Sequence, residues 1–274
     1  QCAAAAPRSG QKAIALAQRL RWLATNRVPV EYLSRLIPGA VTLPPNVRMD
    51  FVHHFELPYG ERCVLAAIAT AVHPRVIFEF GTFTGSTTRL LADAAPMAVV
   101  HTIDLPDAEL ESEPWIAAVV GTAFSADPSY RGRILSHRCN AQTFDYEPFR
   151  GGCDLVFVDA SHDYADVAHD SRRALEIMSE KGVVIWDDYQ PGLNGVVQAL
   201  NELHAEGLEL ARVAHTRLVI HCAGGFPVAL PRSNPEPWAD APGYGWAVHP
   251  LLRHGGARSA SESGSDIRGG GPTG

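Results

Sequence analysis

The chain has 274 residues, of which 46% are hydrophobic and 19% are charged, and its formal net charge is −7. These values are ordinary for a globular protein and provide enough apolar residues for one α/β domain with a full core. The acidic balance argues against a nucleic-acid partner, which would favour a basic patch, and no apolar run approaches the length of a membrane span.

Helical patterns account for about half of the first 72 residues. Apolar residues at helical spacing predict an amphipathic helix over residues 11–24, and a short second helix is predicted over residues 30–37. A linker follows, and a helix rich in alanine and leucine is predicted over residues 60–72. We therefore expect residues 1–59 to form a helical region with a linker ahead of the main domain.

From residue 76 the pattern alternates between strands and helices. Strands are predicted over residues 76–80, 98–104, 132–138, 154–159 and 182–187, and helices over residues 85–95, about 110–121, 164–178 and 194–206. Two apolar runs, 208–214 and 218–222, predict a terminal antiparallel hairpin. The fold class is therefore α/β: a doubly wound, Rossmann-like, mostly parallel sheet of seven strands with helices on both faces.

The composition changes after Cys222. Residues 223–274 are rich in glycine, proline and serine, which predicts a tail that is largely disordered. The five cysteines are scattered without a paired motif, which is typical of reduced thiols in an intracellular protein and predicts a cytoplasmic location.

The chain is organised around the stretch from residue 76 to residue 88. A short apolar strand leads to a turn bracketed by Gly81 and Gly85, and a helix begins near Ser86. The unpaired N–H groups at a helix N-terminus suit the polar end of a ligand. The three residues between the glycines do not match the dinucleotide fingerprint or the phosphate-binding loop.

Two acids belong to the same region. Asp104 ends the next strand, where an acid holds the ribose diol in nucleotide-binding α/β folds. Glu79 lies two residues before Gly81, where its carboxylate could accept from an ammonium group or order the turn. Together they predict an adenosine ligand that lacks a pyrophosphate.

These residues, with segments 154–164, 181–189 and 191–196, resemble the class I S-adenosylmethionine-dependent methyltransferases. The resemblance covers about residues 60–222 and is to the small O-methyltransferase-like branch, which includes catechol O-methyltransferase relatives and cephalosporin-hydroxylase-like proteins. It implies that the N-terminal helices either cover the cofactor or pack as an appendage. The cofactor contacts that it implies are Glu79, Gly81, Thr82, Phe83, Gly85, Ser86, Asp104, Asn140, Ala141 and Asp159.

Asn140 and Ala141 follow the third strand, where the family contacts the adenine ring. A side-chain amide can pair with the exocyclic amine of adenine. The alternative is an asparagine that only shapes a turn.

Three carboxylates follow neighbouring strands: Asp159, Asp187 and Asp188. Such a set would suit a hard cation such as Mg²⁺. Catechol-type relatives hold Mg²⁺ at matching positions, although they have asparagine where this chain has Asp188, and many relatives have histidine where it has Asp187. In the alternative, Asp159 holds the methionine amine of the cofactor and one acid of the pair is structural.

His162 is the candidate general base, because the unperturbed pKa of histidine lies near neutrality. The alternative role of His162 is to fix the loop that follows Asp159 by hydrogen bonding. Asp159 is the second candidate catalytic residue. The predicted function is methyl transfer from S-adenosylmethionine to a hydroxyl oxygen of a small-molecule acceptor, by a monomer or a homo-oligomer. An N-methyltransferase and a catalytically silent binding module remain open, whereas the missing third glycine disfavours a nicotinamide dehydrogenase.

Overall fold

The computed structural model describes Ala17 and residues 26–40, 46–50, 53 and 56–230. These residues belong to a compact unit that spans residues 1–242, and a second unit, residues 243–274, lies outside the described residues. Of the predicted helix over residues 11–24, only Ala17 is described, and it is helical. Most of the tail predicted over residues 223–274 also lies outside the described residues.

The described residues form strands and helices close to the predicted ones. The strands are β1 (Val30–Glu31), β2 (Val76–Phe80), β3 (Val99–Asp104), β4 (Ile134–Arg138), β5 (Cys153–Val158), β6 (Met178–Trp186), β7 (Ala211–Val213) and β8 (Val219–Cys222). The helices are α1 (Leu33–Leu36), α2 (Tyr59–Val72), α3 (Ser86–Ala94), α4 (Pro114–Ala117), α5 (Thr122–Ser125), α6 (Tyr164–Ile177) and α7 (Asn194–Ala205).

All eight strands form one sheet in the order β1-β7-β8-β6-β5-β2-β3-β4. Neighbours from β6 through β4 run parallel, and β8 runs antiparallel to both β6 and β7. The predicted fold class and terminal hairpin are therefore confirmed. From β2 the chain adds strands β3 and β4 on one side, and from β5 it adds β6 on the other side. The boundary between β2 and β5 is therefore the point where the strand order reverses, which in doubly wound folds is where ligands bind.

The eighth strand corrects the prediction of a helix over residues 30–37. Val30 and Glu31 pair in parallel with Arg212 and Val213 of β7, and only Leu33–Leu36 are helical. The reason is tertiary: β7 would otherwise be an open sheet edge, and its backbone groups bond to Pro29 and Glu31 at 2.7 and 2.9 Å.

The helix predicted over residues 110–121 is also wrong. The structure has two single-turn helices there, α4 and α5, preceded by a 3-10 turn at Asp107–Glu109. Gly121 separates them with a φ of +71°, and its N–H donates to the Phe83 carbonyl at 2.7 Å. The backbone of this segment therefore bonds to the glycine turn after β2 at the point where a continuous helix would have to pass.

Both faces of the central parallel strands β2 and β5 are buried, as their continuous apolar runs require, whereas the edge strand β4 is partly exposed. Ile77, Leu155 and Ile185 face one core cluster, and Phe78, Val156 and Val184 face the other. Burial on both faces leaves the carboxyl ends of the strands as the accessible edge, which we call the rim. None of the described helices is long and apolar enough to cross a membrane.

Candidate cofactor and acceptor site

The rim brings the predicted site residues together. Glu79, Asp104, Asn140, Asp159 and Asp187 come at or after the ends of five consecutive parallel strands, β2 to β6. The hydrogen-bond ladder continues past the strand ends: the Asp159 N–H donates to Phe80 and the Asp187 N–H to Val158, at 2.9 and 3.1 Å. The polar residues therefore follow neighbouring strands along one edge of the sheet.

The glycine turn lies directly against the start of the loop after β5. Gly81 has a φ of +93°, and a Cβ added there would lie 2.1 Å from the Asp159 carbonyl oxygen. At Gly85, with a φ of +78°, an added Cβ would lie 2.4 Å from the Phe124 ring. Only glycine permits both the left-handed conformation and this close approach.

Gly81→Ala is expected to lower the free energy of unfolding by more than about 3 kcal/mol, because the backbone against which its methyl group would press cannot retreat. Gly207→Ala is the matched control, since its φ is +100° and nothing lies within 4 Å of the added Cβ. Left-handed strain alone should make the control cost about 1–2 kcal/mol. Urea unfolding measures both, and equal losses would show that close packing at Gly81 is unimportant.

Asp104 holds the glycine turn. One of its oxygens, Oδ2, accepts from the Thr82 and Phe83 N–H groups at 3.1 and 2.7 Å, and Oδ1 accepts from Leu105 N–H at 2.8 Å. A carboxylate offers about four acceptor positions, so about one remains on Oδ1 for a ribose hydroxyl. The same side chain can therefore shape the turn and bind the ligand.

Glu79 lies beneath the turn and is fully buried. Its Oε2 accepts from the hydroxyls of Thr88 and of Thr102, the latter at 2.6 Å, and Thr102 in turn bonds to Thr82. No described residue bonds to Oε1. Burial raises the pKa of Glu79 to about 8, against the two threonine hydrogen bonds that oppose it. Its contacts match the predicted alternative in which it orders the turn.

The stability of the wild type relative to Glu79→Gln is expected to fall as pH rises from about 5 to 8. The pKa of Glu79 is raised on folding, so its stabilising contribution is complete below the unfolded-state pKa and is lost as pH approaches about 8. The glutamine keeps an acceptor oxygen for both threonines but carries no charge. We therefore expect the free energy of unfolding of Glu79→Gln, relative to that of the wild type, to rise by at least about 1 kcal/mol between pH 5 and pH 8.

Urea unfolding at several pH values measures this difference. Exposed Glu180, at the opposite end of β6, provides the control variant Glu180→Gln. A pH-independent difference between Glu79→Gln and wild type would contradict the prediction.

Asn140, Ala141 and Ser86 bond to other protein groups at the rim. The Asn140 amide donates to Glu109 at 2.6 Å and accepts from the Gln142 N–H at 2.9 Å, so its contacts are those of a turn-forming asparagine. The Ala141 carbonyl accepts from the Tyr146 hydroxyl, and the Ser86 hydroxyl accepts from Arg62.

A cluster of aromatic side chains beside the turn was not predicted. The rings of His53 and Trp115 stack at 5.7 Å, and both meet the Phe83 ring edge-on, at 5.4 and 6.1 Å. Glu56 accepts from the Thr84 hydroxyl at 2.5 Å. Nothing in the spacing of these residues could have revealed the cluster, because it joins the segment before α2 to the glycine turn and to α4.

The end of the rim at β5 and β6 holds the candidate base. His162 Nε2 lies 2.7 Å from Asp188 Oδ2, and a small cavity touches both residues together with Asp159 and Asp187. Burial disfavours the charged imidazole, but the hydrogen bond to Asp188 and the charges of Asp188 and Asp159 outweigh it, so the pKa of His162 is raised. Burial and the charge of Asp188 raise the pKa of Asp159 to about 7.

Arg217, at the tip of the hairpin, is the main residue that the sequence analysis missed. Its Nη1 donates to Asp188 at 2.7 Å, and its Nη2 donates to Asp187 at 3.0 Å and to Glu61 of α2 at 2.7 Å. The pairing of β6 with β8 explains its position: Trp186 pairs with Val219, so Asp188, two residues after Trp186, lies opposite Arg217, two residues before Val219. The sequence alone does not reveal this pairing.

The residues present do not form the predicted oxygen triad for Mg²⁺. Among the described residues, the group whose candidate ligand atoms lie within 4.8 Å of one another is Asp159, His162 and Asp188, and Asp187 is not a member. This group offers an imidazole, which Mg²⁺ rarely accepts, and Asp188 is already bonded to His162 and Arg217.

One family model matches the part of the chain that forms the rim. Residues 78–189 match the family model Methyltransf_24, described as a methyltransferase domain. A doubly wound sheet that closes in an antiparallel hairpin, with a glycine turn after β2 and an acid at the end of β3, is also the fold that the predicted resemblance implies. The match and the fold therefore agree with the resemblance to S-adenosylmethionine-dependent methyltransferases that the sequence predicts.

Several solved structures are similar to this chain. The O-methyltransferase TomG of Streptomyces achromogenes, involved in tomaymycin synthesis and solved with S-adenosylmethionine, is 21% identical over 61% of this chain and 81% of its own, with a TM-score of 0.43. The methyltransferase PaMTH1 of Podospora anserina is 16% identical over 80% and 97%, with a TM-score of 0.46. An O-methyltransferase of Bacillus cereus is 15% identical over 75% and 90%, with a TM-score of 0.43. The search of curated proteins found no match.

Proposed function

We propose that this chain transfers the methyl group of S-adenosylmethionine to a hydroxyl oxygen of a small-molecule acceptor. The observation that carries the proposal is the pair of His162 and Asp188, 2.7 Å apart, at the same rim as the adenosine-type site of Gly81 and Asp104. An imidazole held by a carboxylate is a common arrangement for removing a proton, which a hydroxyl acceptor requires and many amines do not.

The cofactor end of the site offers an acceptor for a group that S-adenosylmethionine presents. The remaining acceptor position of Asp104 suits a ribose hydroxyl. Bound S-adenosylmethionine would supply an electrophilic methyl carbon on a positively charged sulfur.

We assign cofactor binding to residues 60–222 and a covering role to the segment that precedes them. Two contacts support the covering role: Asp50 pairs with Arg89 of α3 at 2.8 Å, and Glu56 bonds to Thr84 of the turn at 2.5 Å. These contacts hold the segment before α2 against the start of the helix that follows the glycine turn.

The residues near β5 and β6 would act on the acceptor. His162 takes the hydroxyl proton while the acceptor oxygen bonds to the methyl carbon and the carbon–sulfur bond breaks. Asp188 accepts from the imidazole, keeps its orientation and stabilises its charged form. Burial of Asp187 and Asp188 limits the access of water to these groups.

Titration calorimetry with S-adenosylmethionine tests the first part of the proposal, and absence of binding by the folded protein would refute it. The second part is tested by following S-adenosylhomocysteine formation with a panel of phenols, sugars and macrolides. Turnover with a hydroxyl compound supports the proposal. Binding without turnover across the panel would favour a silent binding module, and turnover confined to amines would favour an N-methyltransferase.

A further inference from the structure

We propose that Arg217 is a built-in cation that holds Asp187 and Asp188 in place of a divalent metal ion and excludes such an ion from the rim. The proposal concerns the same site as the proposed methyl transfer, but it rests on the contacts of Arg217 alone. It makes Arg217 a positioning residue, because Arg217 fixes Asp188, which in turn holds His162.

The contacts of Arg217 form a closed network of charges. All three guanidinium nitrogen atoms donate to carboxylates: Nε to both Glu61 oxygens at 3.2 and 3.1 Å, Nη1 to Asp188, and Nη2 to Glu61 and Asp187. The Arg217 backbone N–H also donates to Glu61, at 2.7 Å. A planar guanidinium held on several sides loses little freedom per bond and is hard to displace.

The oxygens of the acid pair are largely occupied by these contacts. Asp188 Oδ1 accepts from Arg217 and Gln190, and its Oδ2 meets His162. Asp187 Oδ2 accepts from Arg217, and Asp187 Oδ1 has no hydrogen-bond partner among the described residues. A metal ion could reach Asp187 Oδ1 directly, but it would have to displace Arg217 or His162 before it could also use Asp188.

The surroundings explain why a cation is needed there. Glu61, Asp187 and Asp188 are nearly or fully buried, and three carboxylates this close repel one another in a medium of low polarity. Burial raises the pKa of Asp187 well above its usual range, and the charge of Arg217 opposes that shift. Removal of the guanidinium would leave a buried set of hard oxygen ligands, which is what Mn²⁺ and Mg²⁺ bind.

The test is a titration of the full chain with Mn²⁺, followed by electron paramagnetic resonance and calorimetry. The wild type should show no stoichiometric site, whereas Arg217→Met should bind one Mn²⁺ at least about 100-fold more tightly than the wild type does. Adding Asp188→Asn to Arg217→Met should abolish the gain, which places the ion at the acid pair. Arg217→Lys, which keeps the charge, should not gain the site.

Arg138→Met is the matched control, because Arg138 also lies at the rim and pairs with an acid, Asp107. It should not change Mn²⁺ binding. Stoichiometric binding of Mn²⁺ by the wild type that Asp188→Asn removes, or a folded Arg217→Met protein without the gain, would overturn the proposal. If Arg217→Met does not fold, the wild-type and Arg217→Lys titrations still decide it. Because binding is read without turnover, failure here is distinct from failure of the methyl-transfer proposal.

Discussion

Asp104→Ala is expected to weaken the binding of S-adenosylmethionine by about 100-fold or more, with the fold retained. A hydrogen bond to a charged group contributes about 1.5–3 kcal/mol, and about 2.7 kcal/mol corresponds to a 100-fold change in Kd. The alanine also removes the acceptor for three backbone N–H groups of the turn and the loop after β3, so the ligand would meet a less ordered turn.

Two further variants separate these contributions. Asp104→Asn keeps an acceptor oxygen but loses the charge, and we expect it to weaken binding less than Asp104→Ala does. Glu180→Gln neutralises an exposed acid at the far end of β6 and should leave Kd unchanged. Calorimetry measures all four proteins, and an affinity of Asp104→Ala equal to that of wild type would remove Asp104 from the cofactor site.

The sheet was predictable from the sequence because each of its parallel strands carries its own signal. The strand predicted over residues 76–80 has those bounds in the structure, and β3, β4 and β5 differ from prediction by one or two residues at their ends. Burial on both faces demands apolar residues at consecutive positions, and that demand is visible in the chain without knowledge of its partners.

Elements that depend on distant backbone groups were not predictable. Strand β1 has two residues and exists because β7 offers an open edge. The segment over residues 110–121 is broken because Gly121 and Ala123 donate to Phe83 and Thr84 across the glycine turn. No local pattern records such bonds, since the residues that make them are ordinary in composition.

Some residues of the candidate site could likewise be placed from the sequence, and others could not. Acids at the ends of parallel strands must meet at one rim, so Asp104, Asp159 and Asp188 could be placed together from topology alone. The cation among them could not be placed. Arg217 reaches the rim only because of the register of an antiparallel hairpin, and Glu61 reaches it from a helix whose pattern gives no sign of a buried acid.

His162→Gln is expected to lower kcat by about 100- to 10,000-fold, the usual range for loss of a general base, without a change in the Kd of S-adenosylmethionine. The glutamine side chain can still bond to Asp188 but cannot accept a proton at neutral pH. The control is His204→Gln in α7, where the histidine bonds to the Leu208 carbonyl. Steady-state kinetics with the acceptor identified by the panel provides the measurement.

The dependence on pH gives a sharper test of the same residue. Only the neutral imidazole can act as a base, and because its environment raises the pKa of His162, this form becomes dominant at a higher pH than in an ordinary histidine. The kcat/KM of the wild type should therefore rise with pH, with a midpoint above the ordinary histidine value of about 6.5. Asp188→Asn removes the charge that supports the proton, so the midpoint should move to lower pH while kcat falls.

Asparagine is the appropriate replacement at this position. Asp188 has a φ of +63°, a left-handed conformation that asparagine tolerates better than most residues, so the backbone should keep its path. If His162 only fixes the loop after β5, His162→Gln would lower kcat modestly and the profile of Asp188→Asn would keep the wild-type midpoint. The joint result, a large loss of kcat in one variant and a shifted midpoint in the other, requires that the imidazole itself carry the proton.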